Sequence, residues 1–137
     1  GLGIISGSLL AGKLCRQQIH FPVILVGAIG LIGMLFVIPY LSAVIPFALA
    51  IIGFGFFGGL FIIPLNALIQ MHADITQLGS VLAANNWVQN LAMISFLILT
   101  YLVAKADTPS ALFLQYLPYL AVLLIIPILI KLKRKFV

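Results

Sequence analysis

Apolar residues in this chain come in long unbroken runs divided by short polar punctuation, and the runs set the architecture. Residues 1–15, 22–39, 42–71, 80–104 and 111–130 are predominantly apolar, with polar breaks at 16–21, 72–79 and 105–110 and a Pro-Tyr break at 39–40. Crossing a hydrocarbon core of about 30 Å takes about 20 helical residues. The four later runs meet or approach that length, whereas 1–15 is too short and reads as the truncated end of a spanning helix. A period-two alternation, the mark of barrel strands, is missing from all five. The expected fold is all-α, a polytopic membrane helix bundle occupying residues 1–137.

The prolines refine this picture. Pro22 suits a helix start, and Pro39 beside Tyr40 suits a helix end. At 1.5 Å per residue the run 42–71 extends about 45 Å, more than the core needs, so it tilts, kinks or projects. Pro64 lies inside it and removes one backbone hydrogen bond, which predicts a kink near residues 60–64.

Composition makes the membrane reading hard to avoid. The chain is 64% hydrophobic and 7% charged, against roughly 25% charged in soluble domains. So few charges cannot cover an aqueous surface, and lipid is the expected solvent for most of the exterior. The net charge of +5 does not point to nucleic acid, because the cations form no stripe among exposed aromatics. They sit at the ends of apolar runs: Lys13 and Arg16 after the first, and Lys131, Lys133, Arg134 and Lys135 after the last. If each run crosses once, the loops at 13–20 and 72–79 share a side with the C-terminus, and six of the seven Lys and Arg fall there. The Lys/Arg bias of short loops assigns that side, and the C-terminus, to the cytoplasm. Cys15, the single cysteine, lies among these cations and reads as a small packing residue.

Two kinds of motif stand out within the runs. Gly53, Gly55 and Gly58 spell G-x-G-x-x-G, but inside a spanning helix instead of between a strand and a helix start, which rules out a dinucleotide site. The pairs Gly55/Gly59, Gly3/Gly7 and Ser8/Gly12 have small-xxx-small spacing, which lets a neighbouring helix come close. The second kind is amide. Asn66 and Gln70 are four apart on the third run, and Asn86, Gln89 and Asn90, with Asn85 beside them, share one side of the fourth.

An amide in hydrocarbon costs free energy unless it is paired or faces water. Two readings fit: interhelical pairs worth about 0.6 kcal/mol each, or the polar lining of a cavity. Neither involves buried acid, since Asp74 and Asp107 both lie in loops. No His or Cys cluster has metal-ligand spacing, His20 and His72 are lone loop residues, and no nucleophile with base and orienting acid can be assembled. No enzyme, metal or cofactor is therefore expected. Trp87, Tyr40, Tyr101, Tyr116 and Tyr119 suit interfacial belts or aromatic packing equally.

The stretch GGLFIIPLNALIQ at 58–70, followed by VLAANNWVQN at 81–90, resembles the bacterial lysophospholipid transporters of the major facilitator superfamily. The segment GSLLAGKLCR at 7–16 is similar to that superfamily's loop motif, with Gly7, Gly12, Lys13 and Arg16 in motif positions and Cys15 near where Ser and Asp are frequent. The resemblance implies a C-terminal half, namely the end of helix eight and helices nine to twelve of a twelve-helix transporter. Its implied partners are the N-terminal six-helix half, membrane lipid, and an acyltransferase that is sometimes fused. The implied activity is inward movement of lysophosphatidylethanolamine-like lysolipids across the bacterial inner membrane for reacylation.

A lysolipid carrier needs neutral hydrogen-bonding groups and an apolar wall. Asn66, Gln70, Asn86, Gln89 and Asn90 are the expected polar contacts, and Phe57 and Phe61, with Phe54 and Phe56, the expected wall. Two other functions fit the same residues: a carrier of another amphipathic or drug-like solute, and a non-transporting membrane scaffold.

Overall fold

The structure, a computed structural model, describes residues 1–15, 20–106 and 109–136. Five helices account for nearly all of them: α1 (Leu2–Leu14), α2 (Phe21–Val37), α3 (Val44–His72), α4 (Leu78–Lys105) and α5 (Ser110–Phe136). A single 3₁₀ turn, Ile38–Tyr40, closes α2. No strand occurs among the described residues. The last four helices, with the 3₁₀ turn counted into the first of them, are long and apolar enough to cross a membrane, and α1 is the shorter apolar helix.

The expected runs map onto these helices with small shifts at the ends, except at α5, which continues to Phe136 through the basic cluster. Lysine and arginine are good helix formers, and cations in a last turn complement the helix dipole, so nothing at residue 130 stops the helix. Arg16 of the loop motif and Asp107 lie outside the described residues. In α3 the helix runs on through Pro64, which is fully buried. With no N–H at Pro64, the Leu60 carbonyl one turn earlier loses its intrahelical donor.

Helix α3 is the centre of the bundle, with α1 on one side and α2 on another. Glycines set both contacts. A methyl group added to Gly3 would strike the Ile52 carbonyl, and one on Gly7 the Phe56 carbonyl. From the other helix, a Cβ at Gly59 would come within 2.9 Å of the Ser8 nitrogen. The expected small-residue seam therefore exists at Gly3, Gly7, Ser8, Gly55 and Gly59, while Gly12 faces open space. Against α2, a Cβ at Gly27 would lie 2.7 Å from the Phe61 nitrogen, and one at Gly30 would run into the Phe57 ring. Without a hydrophobic drive between helices in lipid, close backbone approach of this kind is a main source of association.

These contacts also order the chain in space. Residues 3, 7 and 8 of α1 meet 52, 56 and 59 of α3 in ascending order, so α1 and α3 are parallel. Gly27, Gly30 and Met34 of α2 meet Leu60 and Phe61, Phe57, and Gly53 in descending order, so α2 is antiparallel to α3. At the far end of α2, Phe36 packs edge-to-face on Tyr119 of α5 with ring centroids 5.4 Å apart. Lys13, His72 and the cations of α5 consequently share one end of the bundle, hereafter the basic end, and Lys105 lies at the other.

Helix α4 is different. It meets α3 and α5 only narrowly, and none of its residues is buried. Across the bundle, large apolar side chains such as Leu2, Leu49, Ile94 and Leu123 stand outward. That is the inverse of a water-soluble surface and suits helices solvated by acyl chains.

Candidate functional site

Two amides of the apolar helices, Asn66 and Asn85, come together where α3 and α4 meet, toward the basic end. Asn66 lies six residues, about 9 Å of rise, from the last residue of α3, and Asn85 lies seven residues, about 10 Å, from the first residue of α4. The Asn85 Nδ2 donates to the Asn66 Oδ1 at 3.4 Å, the one hydrogen bond between side chains of different helices among the described residues. Both amides are partly buried. The two polar faces thus do meet, but through Asn85, a residue adjacent to the expected set. The signal that could have selected it is its four-residue spacing to Gln89.

The other amides point elsewhere. At 100° per residue, Gln89, Asn86 and Asn90 lie about 40°, 100° and 140° round α4 from Asn85, progressively away from α3. All three are exposed on this chain, as is Gln70 one turn beyond Asn66. Among the described residues, no side chain hydrogen-bonds to any of the four. Beside the small Asn66–Asn85 contact there is therefore an open strip of amides, three of them on α4 and Gln70 on α3.

Phe57 and Phe61 are not part of that strip. By helix geometry they stand about 180° and 140° round α3 from Asn66. Phe57 packs its ring over Gly30 of α2 and edge-to-face on Phe56 at 5.5 Å between centroids. With Leu10, Pro22 and Leu60 the two rings line an apolar groove of about 300 Å³ among α1, α2 and α3. The structure brings the phenylalanines to the glycine seams and the amides to α4, on opposite sides of the same helix.

Two grooves on α5 are larger than that one. One, about 410 Å³, runs between α4 and α5 and is walled by Phe96, Phe113, Tyr116, Tyr119 and their leucine neighbours. The other, about 460 Å³, opens between the basic ends of α3 and α5. No group of three or more His, Cys, Asp or Glu able to hold a metal occurs among the described residues. The three glycines of the G-x-G-x-x-G string all lie within α3, where no strand precedes them and no phosphate could reach a helix start.

Comparison with family models, with curated proteins and with solved structures gave no match.

Proposed function

We propose that this chain is part of a membrane carrier of the major facilitator type, and that its cargo is a lysophospholipid. The observation that carries the reading is the strip of Gln70, Asn86, Gln89 and Asn90, open on this chain beside the paired Asn66 and Asn85. Four unpartnered amides turned into acyl chains would each cost free energy. The cost disappears when α4 faces a water-filled cleft closed on its far side by a second helical bundle. Alternating access by two bundles rocking about a site between them has that geometry.

A lysolipid fits such a cleft because its head group needs neutral donors and acceptors while its single chain needs an apolar flank. On this reading the amides meet the head group, and the apolar flank comes from α4 and its neighbours, not from Phe57 and Phe61. The basic end, which holds Lys13, Lys131, Lys133, Arg134 and Lys135, faces the cytoplasm of a bacterial inner membrane under the positive-inside rule. The resemblance of residues 58–70 and 81–90 to lysophospholipid transporters selects this cargo over another amphipathic solute.

The scaffold reading has one observation in its favour, the Asn66–Asn85 bond, which fits interhelical glue. It leaves the open amides of α4 without purpose. Reconstituting the full-length protein in liposomes and following flipping of lysophosphatidylethanolamine against a diacyl lipid tests the proposal. Selective movement of the lysolipid is expected, and equal or absent movement of both would reject it.

A further inference from the structure

The groove between the basic ends of α3 and α5 has a composition that none of the foregoing uses. Its floor is Leu65, Leu68 and Ile69 from α3 with Ile128 and Leu132 from α5, and its rim carries Lys131, Lys135 and His72. Lys131 and Lys135 are one turn apart, so both ammonium groups stand on the same edge of α5 as Ile128 and Leu132. His72 is held by its own helix, its Nδ1 donating to the Leu68 carbonyl at 2.9 Å.

Depth along the helices matters as much as composition. Twenty residues of α5 counted from Ser110 reach residue 129, so Lys131 and Lys135 fall at the head-group level once the helix spans. Helix α3, 29 residues long, likewise overshoots the core at His72. An apolar trough that begins within the acyl region and ends at two cations in the head-group region matches one class of molecule. Its chain end needs hydrocarbon contact, and its head needs negative charge at that depth. Among described residues the same end holds one carboxylate, Asp74, against five Lys and Arg, and Asp74 does not line the groove. The volume of about 460 Å³ is within the range of sites that hold small ligands.

We infer that this groove is a binding site for an anionic phospholipid of the surrounding leaflet, of the phosphatidylglycerol kind, seated with an acyl chain along Leu65, Leu68 and Leu132 and its phosphate between Lys131 and Lys135. Basic pockets between spanning helices capture anionic head groups by the same combination of charge and apolar contact. The site needs only that the helices cross a bilayer and is independent of whether the chain carries lysolipid. It lies on α3 and α5, apart from the amide strip of α4.

Native mass spectrometry of the full-length protein, released from micelles holding equal phosphatidylglycerol and phosphatidylcholine, tests it. Retention of phosphatidylglycerol over phosphatidylcholine by about twenty-five-fold is expected, given about a fivefold contribution from each of the two lysines. The double variant Lys131→Gln/Lys135→Gln should lose that preference. The charge-matched pair Lys133→Gln/Arg134→Gln, whose residues do not line the groove, should keep it. Equal loss in both pairs would mean a diffuse basic tail and overturn the site. So would indifference to head-group charge, which would indicate that another protein segment or a second copy fills the groove. Displacement of the lipid by inorganic phosphate alone would also overturn it, since the acyl contact would then contribute nothing.

Discussion

Gly7 of α1 lies directly against the backbone of Phe56 in α3, with no room between them for even a methyl group. This contact, repeated at Gly3 and Gly59, makes the α1–α3 seam a backbone-to-backbone interface, and a side chain there must push the helices apart. Gly7→Val is expected to destabilise the protein by about 1–3 kcal/mol, the usual cost of overpacking. Gly58, also mid-helix, has nothing within 4 Å of an added Cβ. Gly58→Ala should therefore hold or raise stability, by up to about 1 kcal/mol from helix propensity. Thermal unfolding in detergent checks the pair, and equal destabilisation of both would contradict the seam.

The Gly30–Phe57 contact between α2 and α3 predicts a coupling. Gly30→Ala alone should destabilise, because the aromatic ring cannot slide away as the tip of a flexible chain does. In a Phe57→Leu background the same substitution should cost less, with an interaction energy on the order of 1 kcal/mol. A double-mutant cycle measured by unfolding reads it directly, and simple additivity would show that the ring is not seated there.

The two roles of the amides separate by substitution. Asn85→Leu removes the partner of Asn66 and should lower stability by about 0.6 kcal/mol. Asn86→Leu, on the open strip, should leave stability unchanged and, if the proposed function holds, impair lysolipid flipping by the reconstituted full-length protein. Transport that is normal in Asn66→Leu and Asn86→Leu would reject the amides as cargo contacts.

Water access gives an independent check on the strip. In a Cys15→Ser background, cysteines at Asn86 and Gln89 should react with a membrane-impermeant maleimide, and one at Ala28, fully buried, should not. Protection of Asn86 and Gln89 would favour the scaffold reading.

The shared end of α1, α3 and α5 predicts sidedness. Single cysteines at Lys13, His72 and Lys131 should label from one face of sealed vesicles, and one at Lys105 from the other. Labelling of His72 with Lys105 would break the threading order inferred from the seams.

The linear sequence determined the membrane-spanning helices of this protein, because a 20-residue apolar run has few alternatives once water is excluded and every backbone group must bond within its own segment. It also determined that Gly3, Gly7, Gly55 and Gly59 would serve close packing. What it left open was which side of each helix meets which neighbour. Phe57 and Asn66 look equally available along the chain, yet rotation about α3 sends one to α2 and the other to α4. Gly27 and Gly30, unremarked in the sequence, became seats for α3 for the same reason, and Asn85, set beside the expected amides of α4, is the one that meets Asn66. Rotation and pairing depend on how small residues on several helices fit together at once, and only the folded bundle sets that fit, since apolar periodicity carries almost no facial information when lipid and protein are equally greasy.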